Sequence, residues 1–126
     1  MRILIVDDIF TNRYLLVELL KTLGHDYAQV ENGREAIEAL EKENFDLVLM
    51  DIEMPVMNGI ETVHYIRNNF PAPANRIPIV ALTAHNPELF FEDFRDSGFD
   101  KLLTKPYNLE KLSTIIDDLI PENKGS

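Results

Sequence analysis

Cysteine and tryptophan are absent from this 126-residue chain. Without thiols, disulfide staples and thiolate metal sites are excluded, which fits a reducing compartment. Long apolar runs are missing as well. The first run, Ile3-Leu4-Ile5-Val6, ends at the pair Asp7-Asp8. It is too short for a signal peptide, and no run approaches the length needed to span a bilayer, so the expected location is the cytoplasm. Basic residues are scarce, 12 Lys+Arg against 22 Asp+Glu, giving a formal net charge of −10. That balance argues against direct binding to nucleic acid or to an anionic membrane, since both need a basic face. No repeat, low-complexity stretch or interdomain linker is visible. One domain over residues 1–120 and a polar tail at 121–126 are expected.

What is present is ordinary globular material: 45% hydrophobic and 27% charged residues, enough to build a real core. The organising stretch runs from Phe45 to Gly59. Leu47 to Met50 are apolar without alternation, as in a strand buried on both faces of a parallel sheet. The run stops at Asp51, Pro55 and Asn58-Gly59 break regular structure, and a helical pattern follows with Ile60, Val63 and Ile66 inward. Similar short runs lie at Ile3–Val6, at Ile79–Leu82 ending on Thr83-Ala84, and at Lys101–Thr104 running into Lys105-Pro106, with a weaker one at Asp26–Val30. Between them lie helical segments. The first runs from about Phe10 to Leu23, with Leu16, Leu20 and Leu23 on one face, Leu15 and Leu19 beside it, and Gly24 as the stop. Others are expected around Ala36–Leu40, from Asn86-Pro87 to Ser97, and along the seam Leu109, Leu112, Ile116 and Leu119. Strand then helix, about five times over, predicts an α/β fold: a doubly wound five-stranded parallel sheet with helices on both faces.

In such a sheet Asp7-Asp8, Asp51, Thr83 and Lys105 each stand at or just past the carboxyl end of a different strand, so all meet at one edge, where open α/β sheets place their ligands. Alone, each has an unremarkable explanation: an aspartate after a strand usually caps a turn, and a lysine is usually solvated. Their coincidence is what points to chemistry. Clustered carboxylates repel, and one takes up a proton unless a cation joins them. Mg²⁺, a hard ion that prefers oxygen, is the natural choice. The set suits phosphoryl transfer to a carboxylate. Asp51 acts as the nucleophile, the metal and Lys105 neutralise the equatorial oxygens, and the Thr83 hydroxyl donates to a phosphoryl oxygen, drawing a loop inward.

The chain resembles the receiver domain of two-component response regulators from Ile3 to about Leu119. The resemblance rests on Ile5-Val6-Asp7-Asp8, on Leu49 to Pro55 with Asn58-Gly59, on Ala81-Leu82-Thr83-Ala84, and on Leu103-Thr104-Lys105-Pro106. It implies a flavodoxin-like topology. It also implies that Asp51 accepts phosphate from a phosphohistidine on a sensor histidine kinase or histidine phosphotransfer protein. Asp8, Asp51 and the Glu53 carbonyl would bind Mg²⁺, with Asp7 helping through water. Thr83 and Lys105 would hold the phosphoryl group, the Lys105–Pro106 peptide would be cis, and the phosphate would be lost slowly to water. Many receivers carry an aromatic residue three positions before the lysine. Here Leu102 stands there, so an aromatic rotamer switch at that site is excluded, and Tyr107 occupies a different place. Glu53 and His85 would flank the pocket. The face made by the fourth helix, the last strand and the last helix is the family's usual signalling surface, and one of Phe90, Phe91 and Phe94 is a candidate partner contact there.

The initial Met1 favours a free-standing chain. Asn12-Arg13 and Met50 to Pro55 look instead like receivers fused to hybrid histidine kinases, so a domain excised from a larger protein is the alternative. A phosphohydrolase with an aspartate nucleophile is a second class. Glu53 has the right charge for its acid/base, but the usual threonine and a cap domain are missing. A flavin module of similar topology would need a hydroxyl- and glycine-rich loop where Asp7-Asp8 stand, and these repel a bare phosphate.

Overall fold

The unbroken apolar runs become the strands, and burial on both faces explains why they do not alternate. In the computed structural model, which describes residues 1–84 and 98–119, β1 is Arg2–Val6, β2 Asp26–Val30, β3 Leu47–Asp51, β4 Ile79–Thr83 and β5 Lys101–Thr104. The helices are α1 (Phe10–Thr22), α2 (Gly33–Lys42), α3 (Gly59–Asn69) and α4 (Leu109–Leu119), with a short 3₁₀ turn at Ala74–Arg76. All strand pairs are parallel, in the order β2-β1-β3-β4-β5. Strand order therefore reverses between β1 and β3, which opens a crevice at their carboxyl ends.

Period-two alternation divides the core. Ile3, Ile5, Leu47, Leu49, Val80, Leu82 and Leu103 face Leu16, Val17 and Leu20 of α1 and Leu112 and Ile116 of α4. Leu4, Val6, Val48, Met50 and Ile79 face Ala36 of α2 and Val63 and Ile66 of α3. The inner strands β1 and β3 are fully buried from Ile3 to Val6 and from Leu47 to Met50. At the edge, β2 buries no residue fully, as its weaker pattern predicts.

Local signals set the helix ends. Asn58 and Glu61 form a capping box on α3: the Asn58 side chain accepts from the Glu61 N–H at 2.9 Å, and the Glu61 carboxylate accepts from the Asn58 N–H at 3.1 Å. Gly24 follows α1 with φ +83°. The His25 N–H reaches the Leu20 carbonyl and the Gly24 N–H the Lys21 carbonyl, the paired bonds of a Schellman ending.

Two expected helix faces need correction. Leu15 is exposed rather than beside the core, and the buried face of α1 is Arg13, Leu16, Val17 and Leu20. Leu109 is exposed at the start of α4, where only Leu112 and Ile116 are fully buried. The α3 face is as expected, with Val63 and Ile66 fully buried and Ile60 half-buried against the Ile52 and Ala81 cluster. The expected helix over 86–97, His85, the Phe90/Phe91/Phe94 question and the tail at 121–126 lie outside the described residues. Among the described residues, no helix is long and apolar enough to cross a membrane.

Candidate functional site

The β1/β3 crevice gathers acid. Asp7 and Asp8 follow β1 directly, and Asp51 is the last residue of β3. Carboxylate oxygens of all three lie within 4.8 Å of one another. Asp7 is fully buried and Asp51 is 5% exposed, whereas Asp8 is open to solvent. Asp7 is held firmly: one carboxylate oxygen accepts from the Ile9 N–H at 2.9 Å, the other from the Asn12 side-chain amide at 3.2 Å. An Asp51 oxygen accepts from the Glu53 N–H at 3.3 Å.

Burial and mutual repulsion leave their mark on protonation. Desolvation, then the charge of Asp7, pushes the Asp51 pKa up to about 6, against the opposing pull of Lys105 and the Glu53 N–H. Asp7 is raised too, chiefly by burial, with its hydrogen bonds and Lys105 working the other way. Carboxylates this close cannot all ionise cheaply without a cation. The donor set is entirely oxygen, which matches a hard divalent ion and would suit Mg²⁺.

The loop from β3 to α3 folds back against the end of β3. The Gly59 N–H donates to the Ile52 carbonyl at 2.9 Å. A Cβ on Gly59 would collide with the Asp51 carbonyl and lie 2.9 Å from the Ile52 Cα, so this close approach of backbone to backbone requires glycine. Val56 in the same loop has φ 70° and is 72% exposed, an uncommon conformation for a β-branched residue.

Thr83 ends β4 and is 4% exposed, and Thr104 is its register partner on β5. The Lys105 N–H donates to the Thr83 carbonyl at 2.9 Å, which binds the two strand ends together. The Lys105–Pro106 peptide is cis, as the resemblance implies, and so is Ala72–Pro73. Asp7, Asp8, Asp51, Thr83 and Lys105 thus share the carboxyl edge of adjacent strands. Glu53 stands just outside it with an exposed side chain. Leu102 is half-buried against Ile52 and Ala81. Tyr107 turns inward, 7% exposed, and packs in the α1/α4 core.

Residue typing alone did not foresee what Asn12 and Arg13 do. Asn12 donates to the Asp7 carboxylate, and Arg13 donates to the Asp7 backbone carbonyl at 2.7 Å. The available signal was an amide and a guanidinium placed within one turn after the Asp7-Asp8 pair. A second unforeseen feature is a patch of exposed Ile9, Phe10, Tyr14 and Leu15 beside the crevice, with Phe10 and Tyr14 ring centroids 6.2 Å apart.

Comparison with known proteins agrees with this geometry. The family model described as "Response regulator receiver domain" matches residues 3–117. The sensor protein GacS of Pseudomonas syringae pv. syringae is 40% identical over 117 residues; the match covers 91% of this chain and only 13% of GacS. Among solved structures, the receiver domain of the sensor histidine kinase PA1611 from Pseudomonas aeruginosa, with a magnesium ion coordinated in its active-site cleft, superposes with TM-score 0.85 at 30% identity, covering 95% of this chain and 97% of that one. The receiver domain of Ssk1 from Saccharomyces cerevisiae, crystallised with the histidine phosphotransfer protein Ypd1, gives TM-score 0.83 at 32% identity, covering 94% and 88%.

Proposed function

The chain belongs to the family of response regulator receiver domains, and from that premise we propose that it is the phosphoacceptor of a two-component phosphorelay, with Asp51 as the accepting residue. The observation that carries this reading is the convergence of the Asp7, Asp8 and Asp51 carboxylates within 4.8 Å at the switch point of the sheet, beside the charge of Lys105 that acts on both Asp7 and Asp51.

Asp8, Asp51 and the Glu53 carbonyl would hold Mg²⁺, with Asp7 acting through water. When bound, the ion supplies neutralising charge to the phosphoryl oxygens. An ionised Asp51 oxygen attacks phosphorus in line, the P–N bond to the donor imidazole breaks, and the freed imidazole nitrogen keeps the bonding pair and takes up a proton. Lys105 offsets charge on the equatorial oxygens. The Thr83 hydroxyl donates to one of them, coupling the modification to the strand end it shares with β5. Water later attacks phosphorus, releasing inorganic phosphate and restoring the carboxylate.

The donor is a histidine kinase or a histidine phosphotransfer protein. The complex of the yeast relative with the histidine phosphotransfer protein Ypd1 supports a donor of that kind. The exposed Ile9, Phe10, Tyr14 and Leu15, with Val56 on the β3–α3 loop, supply an apolar rim against which a donor can exclude water from the transfer.

The test is intact-mass spectrometry after incubation with acetyl phosphate or a purified phosphohistidine donor, with and without Mg²⁺. The expected outcome is a labile, Mg²⁺-dependent gain of one phosphoryl group that Asp51→Asn lacks. A gain that persists in Asp51→Asn, or no gain from either donor, overturns the assignment.

A further inference from the structure

Arg13 sits in the second turn of α1, 9% exposed, on the helix face turned to the core. A buried guanidinium is expensive unless its donors are matched, and here they are distributed with evident economy. Nη1 donates to the Asp7 carbonyl at 2.7 Å, Nε to the Gln29 side-chain oxygen on β2 at 3.2 Å, and Nη2 lies 3.7 Å from the Glu31 carboxylate. The Phe10 ring covers one side, its centroid 5.9 Å from Cζ.

The Asp7 carbonyl has a particular need of that donor. The Asp7 N–H donates to the Val30 carbonyl at 3.2 Å, continuing the β1–β2 ladder. In a parallel ladder the next bond would run from the Asn32 N–H back to the Asp7 carbonyl. Asn32 has already left the sheet to cap α2, where its side chain accepts from the Glu35 N–H. A buried carbonyl would be orphaned at the point where the chain delivers its first acidic pair. Arg13 replaces the missing strand donor.

The consequence falls on Asp8. No hydrogen bond among the described residues reaches the Asp8 carboxylate, so its position depends on its backbone. That backbone begins with the Asp7–Asp8 peptide, whose plane is set by the bond at the Asp7 carbonyl. We propose that Arg13 is a positioning residue for the cation site: by holding the Asp7–Asp8 peptide, it keeps the Asp7 and Asp8 carboxylates converged on Asp51 without touching the ion. The inference rests on reading the acidic cluster as a Mg²⁺ site. It also explains why arginine is needed. A planar fork reaches a β1 carbonyl and a β2 side chain at once, whereas a single ammonium on a shorter reach can serve one or the other.

Calorimetric titration of the folded chain with Mg²⁺ tests this without any phosphoryl donor. Arg13→Lys and Arg13→Gln are compared with Gln29→Leu, which removes one arm of the fork, and with Ile116→Val, a core change away from the site that lowers thermal stability alone. Outer-shell groups typically change metal affinity by tenfold or more, so the Arg13 variants are expected to weaken Mg²⁺ binding about 10-fold. Gln29→Leu should weaken it less, and Ile116→Val should leave it unchanged despite a lower Tm. If Arg13→Gln fails to fold, Arg13→Lys and Gln29→Leu still decide the matter. Arg13 variants that bind Mg²⁺ within about twofold of wild type, well short of an outer-shell effect, reduce Arg13 to a structural strap and overturn the proposal. A wild type that binds no Mg²⁺ overturns the metal-site reading along with it.

Discussion

Leu47 to Met50 and the residue that follows them share one strand and little else. The four apolar residues are fully buried and meet hydrocarbon on both faces of the sheet. Asp51 is nearly as buried, yet its neighbours are two further carboxylates, and its pKa is driven up to about 6. Burial that stabilises the strand interior works against the fold at the strand's end. The carboxyl edge holds a conflict that the interior must outweigh, and a proton or a cation among the carboxylates relieves it.

The interior should show the larger effect. Leu49 is fully buried between α1 and α4 at the centre of the sheet, where neighbouring strands leave little freedom to collapse. Leu49→Ala is expected to cost about 3–5 kcal/mol, read as a lower midpoint in urea with the slope unchanged. A cost under about 1 kcal/mol would mean that the core relaxes around the gap, outside the range for such truncations, and would weaken the contrast drawn here.

At the edge the sign reverses. The Asp51 carboxyl has its folded pKa raised from 3.8 to about 6, with desolvation the first cause. Between those values the folded state binds more protons than the unfolded state, so stability falls as pH rises through this window. The penalty is absent below the unfolded pKa and complete above the folded one. Asp7, raised in the same direction, adds to the trend. Asp51→Asn removes the ionisable group and should stabilise the metal-free protein at pH 7 by up to about 3 kcal/mol. The gain should fade toward pH 4 and shrink at pH 7 when Mg²⁺ is in excess, because the ion stabilises the wild type by mass action. Thermal melts of both proteins across pH, with and without Mg²⁺, measure all of this. A gain that is equal at pH 4 and pH 7 would show that packing rather than charge is responsible.

The two regions were also unequally legible in the sequence. Strand positions and the identities of Asp7, Asp8, Asp51, Thr83 and Lys105 could be read because each unbroken apolar run stops at a polar residue, and a parallel sheet brings those stops together. The break at Asn58-Gly59 and the glycine after α1 were equally visible, since both are local, whereas the capping box of Asn58 with Glu61 was not read. The orientation of α1 was not. From Ile9 to Leu23 apolar residues occur all round the helix, so periodicity does not choose between a face for the core and a face for the surface. Leu15 was misplaced for that reason, and the patch with Phe10 and Tyr14 went unseen. The partners of Arg13 were hidden because they depend on where β2 leaves the ladder, which is a tertiary fact.

Tyr107 lies on the boundary between the two regions, and the smallest expected effect belongs to it. Its ring belongs to the core cluster that holds Ile5, Leu16 and Leu112, while its hydroxyl is buried with no hydrogen-bond partner among the described residues. Burial, followed by the charges of Asp7 and Asp51, holds the phenol neutral by raising its pKa well above the usual tyrosine value. The hydroxyl therefore carries a desolvation cost that no bond among the described residues returns. Tyr107→Phe keeps the ring and removes that cost, so it should stabilise the metal-free protein by about 1 kcal/mol, a rise in Tm of about 4 °C for a domain of this size. If stability falls instead, the hydroxyl holds an ordered water against the acidic cluster. Tyr107 would then belong with the strained carboxyl edge, and the boundary between the two regions would move one layer deeper into the core.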